Sequence, residues 1–124
     1  MDPNASGDLA LLEPASADPT SRRVSRAATN TFTLAPSALV GFVDRPRQFL
    51  ALHFAIGVWD SNIGEVMGHL GTDREVFENV LTFAHEIGLV PIPIHKEQSG
   101  YIINSLLVPW CTAALDLLVR DVTE

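Results

Sequence analysis

The clearest hydrophobic pattern in the chain lies at Phe49–Ile56, FLALHFAI, an apolar run broken once, by His53. Strand alternation sends Leu50, Leu52 and Phe54 to one face and Ala51, His53 and Ala55 to the other. Ile63, Glu65 and Met67 alternate in the same way, so Glu65 projects from an otherwise apolar face. From Thr72 the period becomes helical: Val76, Val80, Phe83, Ala84 and Ile87 form one stripe, and Gly88 suits the position just past the helix end. Thr72 and Glu75 have the spacing of a capping box. The following LVPIPIH is extended, and Pro91 and Pro93 remove ladder donors, which predicts a sheet edge or polyproline form.

Ser99-Gly100 opens a second, longer helical segment, YIINSLLVPWCTAALDLLVRD. Its apolar residues cover more than one face, so it requires packing on several sides. Pro109 removes one of its hydrogen bonds and predicts a kink. Upstream of Phe49 the signals are weaker. Asn30–Ala35 is β-prone, Ser37 is placed to cap a brief helix through Val40, and Arg45–Gln48 reads as a polar loop. Strand, helix, strand, helix is the order of an α/β fold. Residues 1–28, rich in Ala, Ser, Pro and Asp, show no sustained period and are expected to be disordered.

Composition narrows the function classes. A net charge of −7 and a pI near 4.9 disfavour nucleic acid or an anionic membrane as the main partner. The single cysteine, Cys111, excludes an internal disulfide framework and fits a reducing cytoplasm; in its apolar helix it reads as a small core residue. The N-terminal apolar run, LALL, is too short for a signal peptide and stands among acidic residues. Gln98–Leu115 carries no charge, but Asn104, Ser105 and Thr112 interrupt it and Asp116 follows, which predicts a buried helix of a soluble domain over a membrane span. No GxGxxG or Walker A loop occurs among the eight glycines, so no phosphate cradle is encoded in these residues.

The candidate chemistry lies with His53 and Glu65, twelve residues apart on segments that can pair as neighbouring strands. Charged groups in apolar surroundings need partners. These two either satisfy each other as a structural pair or form an acid/base couple, in which the carboxylate fixes the imidazole and leaves its second nitrogen for a substrate proton. Asn104, a polar amide near the start of an apolar helix, likewise needs partners, either a ligand or a structural hydrogen bond. His69, His85 and His95 lack metal-ligand spacing and read as surface or loop residues, so no metal is expected.

Four ordered segments resemble the NAD-dependent 3-hydroxyacyl-CoA dehydrogenases, including the 3-hydroxybutyryl-CoA dehydrogenases. They are Asn30-Thr31-Phe32-Thr33-Leu34; Arg45-Pro46 through Leu52-His53-Phe54-Ala55-Ile56; Glu65-Val66; and Gly100-Tyr101-Ile102-Ile103-Asn104 through Leu106-Leu107-Val108-Pro109. The resemblance runs from about Ala28 to the C-terminus. It implies that His53 is the base that takes the 3-hydroxyl proton while hydride passes to NAD. Glu65 is then its partner, Asn104 a polar group near the reacting centre, and Asn30 a cofactor-binding residue. It further implies an acyl-CoA substrate and the C-terminal part of a Rossmann-type NAD-binding domain at 29–97, followed by the first helix of an all-α C-terminal domain at 98–124.

Two positions depart from the family pattern: Phe32 replaces a serine that binds near the substrate oxygen, and Ile56 replaces an asparagine that helps hold nicotinamide. With the glycine loop also missing, the expectation is a truncated dehydrogenase, inactive in isolation, that forms a homo-oligomer or joins a full-length relative through its C-terminal helix. The alternative is a non-catalytic interaction module using the same helix.

Overall fold

A computed structural model describes residues 9–12 and 26–122. Five strands form one mixed sheet in chain order: β1 (Leu9–Leu12), β2 (Arg26–Thr29), β3 (Phe49–Phe54), β4 (Ile63–Gly68) and β5 (Val90–Ile94). β2 is parallel to β3, and β4 is parallel to β5, whereas β1 and β2 pair antiparallel, as do β3 and β4. The parallel pair β4–β5 is joined through helix α1 (Arg74–Glu86), since parallel neighbours need a crossover. Helix α2 (Tyr101–Val119) follows. The α/β class expected from element order is the one observed.

Strand alternation sorts the core into two faces. Leu50, Leu52 and Val66 pack on one side with Val76, Val80 and Ala84 of α1 and with Leu89. Ala51, Met67 and Ile94 pack on the other with Tyr101, the first residue of α2. β3 is paired on both edges and its first five residues are buried, which explains its nearly continuous apolar sequence. β5, with its two prolines, ends the strand order where missing donors cost least.

Several local expectations fail for physical reasons. β1 and β2 lie partly within the segment whose composition predicts disorder: a four-residue apolar run becomes a strand once another strand offers its edge. The remainder of 1–25 falls outside the described residues. Asn30–Ala35 is not a strand; Asn30 instead turns the chain away from the sheet, its Oδ1 accepting the Phe54 N–H at 3.0 Å. The brief helix at Ser37 is a 3-10 turn, Pro36–Ala38, followed by a second at Val40–Phe42.

The capping box does not form either. Thr72 Oγ1 donates to the Phe49 carbonyl and accepts the His69 N–H, both at 2.9 Å. Asp73 becomes the N-cap residue, and its carboxylate binds Arg47 instead of the helix. The Arg47 guanidinium, distant in sequence, takes the carboxylate that the helix N-terminus would otherwise receive. Gly88 has the expected positive φ, 88°, but Ile87 in the predicted stripe is exposed.

The largest correction concerns α2. Only Tyr101 and Asn104 along it are buried, and Cys111, expected in a core, is exposed. Beyond its first turn the helix leaves the sheet, and no other described residue covers it. Its length and its mean hydropathy of 1.8 would suffice for a membrane crossing.

Candidate active site

His53 and Glu65 are directly opposite in the β3–β4 register. Alternation places both on the face that carries Ala51 and Met67. Directly opposed residues on one face have Cβ atoms about 5 Å apart, and here the side chains bond: His53 Nδ1 lies 2.9 Å from Glu65 Oε2. Both residues are buried, Glu65 completely.

The second carboxylate oxygen is held from the other side. Glu65 Oε1 accepts the backbone N–H of Ile102 at 2.8 Å and of Ile103 at 3.0 Å. These belong to the first turn of α2, whose N–H groups have no partner within the helix, and the helix dipole favours a negative charge there. A carboxylate is acceptor-only, so with Glu65 ionised the shared hydrogen sits on Nδ1 of His53. Nε2 is then left bare. It makes no hydrogen bond among the described residues and is not among their sealed, unpartnered polar atoms. In that tautomer the second ring nitrogen is left without a partner among the described residues.

Tyr101 closes one face of the imidazole. The two rings stack with centroids 4.4 Å apart and planes 20° from parallel. Tyr101 reaches this place from an unusual backbone, φ +53°, directly after Gly100 at φ +80°. For a bulky residue the left-handed region costs about 1–3 kcal/mol. Its hydroxyl donates to the Leu34 carbonyl at 3.2 Å and lies 3.3 Å from Thr31 Oγ1. Burial, first, and the nearby Glu65 charge raise the Tyr101 pKa, while the Thr31 bond pulls the other way.

The loop over the site is tied down by Asn104, which is buried and donates through Nδ2 to the Phe32 carbonyl at 2.8 Å. The Phe32 ring meets His53 edge-on, with centroids 6.4 Å apart. Asn104 therefore reaches the histidine through Phe32 and has no hydrogen bond to it. Asn30 stands at the end of β2 with its Oδ1 engaged by β3, and Ile56 is 84% exposed in the β3–β4 loop.

The remaining histidines stay apart from this site. His69 bonds the Pro46 carbonyl and the Gly71 N–H, His95 lies beside Phe77, and His85 is exposed. No group of three or more metal-ligating side chains occurs among the described residues. Tyr101 is the residue that reading the sequence for chemistry misses, because its role comes from stacking and backbone geometry. The one available signal is its position immediately after Gly100.

A sheet with α1 packed on one face and, on the other, a paired histidine and carboxylate beneath the first turn of α2 makes an α/β domain. Residues 19–98 match the family described as 3-hydroxyacyl-CoA dehydrogenase, NAD binding domain, and the chain belongs to that family. The match starts upstream of Ala28, where the motif resemblance begins.

Over 92 residues the chain is 29% identical to the fatty acid oxidation complex subunit alpha of Idiomarina loihiensis, covering 74% of this chain and 13% of that protein. A solved diketoreductase, described as catalysing reactions of dicarbonyl compounds, is 54% identical with a TM-score of 0.74, over 78% of this chain and 34% of that one. The 3-hydroxybutyryl-CoA dehydrogenase of Escherichia coli is 25% identical with a TM-score of 0.69, over 77% and 20%. The chain thus spans a minor part of the length of each of these relatives.

Proposed function

We propose that this chain carries the proton-transfer part of an NAD-dependent 3-hydroxyacyl-CoA dehydrogenase, with His53 as the catalytic base. The observation that carries the reading is the 2.9 Å contact of His53 Nδ1 with a carboxylate that two further N–H groups hold in place, leaving Nε2 free. Nε2 accepts the proton of the 3-hydroxyl, and the resulting imidazolium is stabilised by Glu65. NAD, when bound, takes the hydride from C3 as the carbonyl forms. Its pyrophosphate requires a glycine-rich turn that these 124 residues do not contain, so the dinucleotide does not fit this chain alone. Residues 29–97 then act as the later part of the NAD-binding domain and 98–124 as the opening of a helical domain. The exposed length of α2 is where a second copy or a full-length relative joins, in the cytoplasm.

A second reading concerns the substrate. The 54% identity to a diketoreductase favours a dicarbonyl compound over an acyl-CoA, with the same histidine giving up its proton in the reductive direction. Both readings are tested in one chimera, in which residues 28–124 replace the matching segment of that diketoreductase. NAD-dependent turnover that His53→Gln lowers by about 10²–10⁴ is the expected result; undiminished turnover in the variant overturns the role of His53. Activity on 3-hydroxybutyryl-CoA exceeding that of the unaltered diketoreductase supports the acyl-CoA reading, and its absence supports the dicarbonyl one.

A further inference from the structure

Nothing in the catalytic reading requires Tyr101, yet it is completely buried and holds a backbone conformation that glycine, not tyrosine, adopts freely. A strained bulky residue persists only where its surroundings hold it in place. Three contacts do so here. The ring stacks on His53, the hydroxyl is bonded to the loop at Leu34, and the Tyr101 carbonyl accepts the Ser105 hydroxyl. The next two residues, Ile102 and Ile103, deliver their N–H groups to Glu65. One left-handed residue thus holds both members of the pair, the histidine through its ring and the carboxylate through the turn it starts.

We infer that Tyr101 is a positioning residue that holds the His53 imidazole, whose Nδ1 Glu65 engages, in a single ring orientation. Glu65 alone leaves the imidazole free to rock about the Nδ1 bond. Stacking at 4.4 Å on a completely buried ring removes that freedom. Phe32 meets the imidazole edge-on, a second and more distant aromatic contact. The inference rests on the proposed role of His53 for its significance, but its geometry is testable without catalysis.

The test is nitrogen-15 NMR of the histidine side chains in the 124-residue chain, with His53 assigned by its absence in His53→Gln. The wild-type chain is expected to show a pyrrole-like Nδ1, a pyridine-like Nε2, and ring protons of His53 shifted upfield by the Tyr101 ring. Tyr101→Phe keeps the stack and should preserve all three signatures. Tyr101→Leu should lose the upfield shift and broaden the His53 ring signals as the imidazole regains motion, while the Nδ1 that Glu65 engages stays pyrrole-like. Tyr101→Gly, which relieves the backbone and removes the ring, should do the same while the β3–β4 amide signals stay in place. His53 ring protons without an upfield shift in the wild-type chain would overturn the inference without any variant. So would His53 ring signals equally shifted and equally sharp in both folded Tyr101→Leu and Tyr101→Gly, or their loss in Tyr101→Phe. A failed chimera assay with intact signatures would instead count against the catalytic reading alone.

Discussion

His53 and Glu65 face each other across the antiparallel β3–β4 pair, and their side chains close the gap to 2.9 Å. The register makes this contact: a slip of one residue would send Glu65 to the α1 face and leave His53 opposite an apolar neighbour. The pair is therefore as secure as the strand pairing that carries it.

Removing the carboxylate should destabilise the chain as well as disarm it. Glu65→Ala strands three donors, the Nδ1–H of His53 and the N–H groups of Ile102 and Ile103. A loss of about 3 kcal/mol is expected for a buried, multiply bonded carboxylate. Glu65→Gln, which keeps one acceptor oxygen, should lose less. Urea unfolding of the two variants checks the order, and equal stabilities would contradict it.

Tyr101 is the single tyrosine of the chain, so its ionisation can be followed by tyrosinate absorbance without interference from another phenol. Burial and the Glu65 charge place the midpoint above the ordinary value of 10.0. Because the unfolded chain releases this proton first, the stabilisation is intact below the unfolded-state pKa and falls as pH rises through the folded-state value. Unfolding free energies of wild type and Tyr101→Phe should converge over that alkaline range. A midpoint below 10.0 in the folded chain would refute the assignment.

Calorimetric titration of the 124-residue chain with NAD should show no binding, since no glycine-rich turn is present to meet the pyrophosphate. Micromolar affinity would mean that the sheet face around His53 holds the dinucleotide without such a turn.

Helix α2 exposes Leu106, Val108, Trp110, Leu115 and Leu118. An apolar surface of this extent promotes association. Sedimentation velocity should show oligomers that Trp110→Glu with Leu106→Glu reduces. Cys111 lies on the same helix and is exposed, so its alkylation should slow as protein concentration rises. A monomer with a concentration-independent alkylation rate would show that α2 does not self-associate.

Much of the site was legible in the sequence because it depends on period-two alternation. His53 among alternating apolar residues, and Glu65 in an equally apolar run, could share a face only if their strands paired. The helical stripe of α1 and the edge position of β5 follow from local rules of the same kind. What the sequence could not decide was competition between partners. Thr72 and Asp73 have the chemistry of helix caps, but Phe49 and Arg47, distant in sequence, claim their side chains. The run Leu9–Leu12 becomes a strand only because β2 offers it an edge, and α2 has the hydropathy of a buried helix but finds no cover among the described residues. Tyr101 shows the division most clearly. The residues Gly100-Tyr101 are present in the sequence, but the left-handed turn, the stack on His53 and the two N–H groups aimed at Glu65 exist only once the helix docks on the sheet. Local pattern fixes which face a side chain takes; long-range hydrogen bonds and ring contacts decide which of its possible partners it meets.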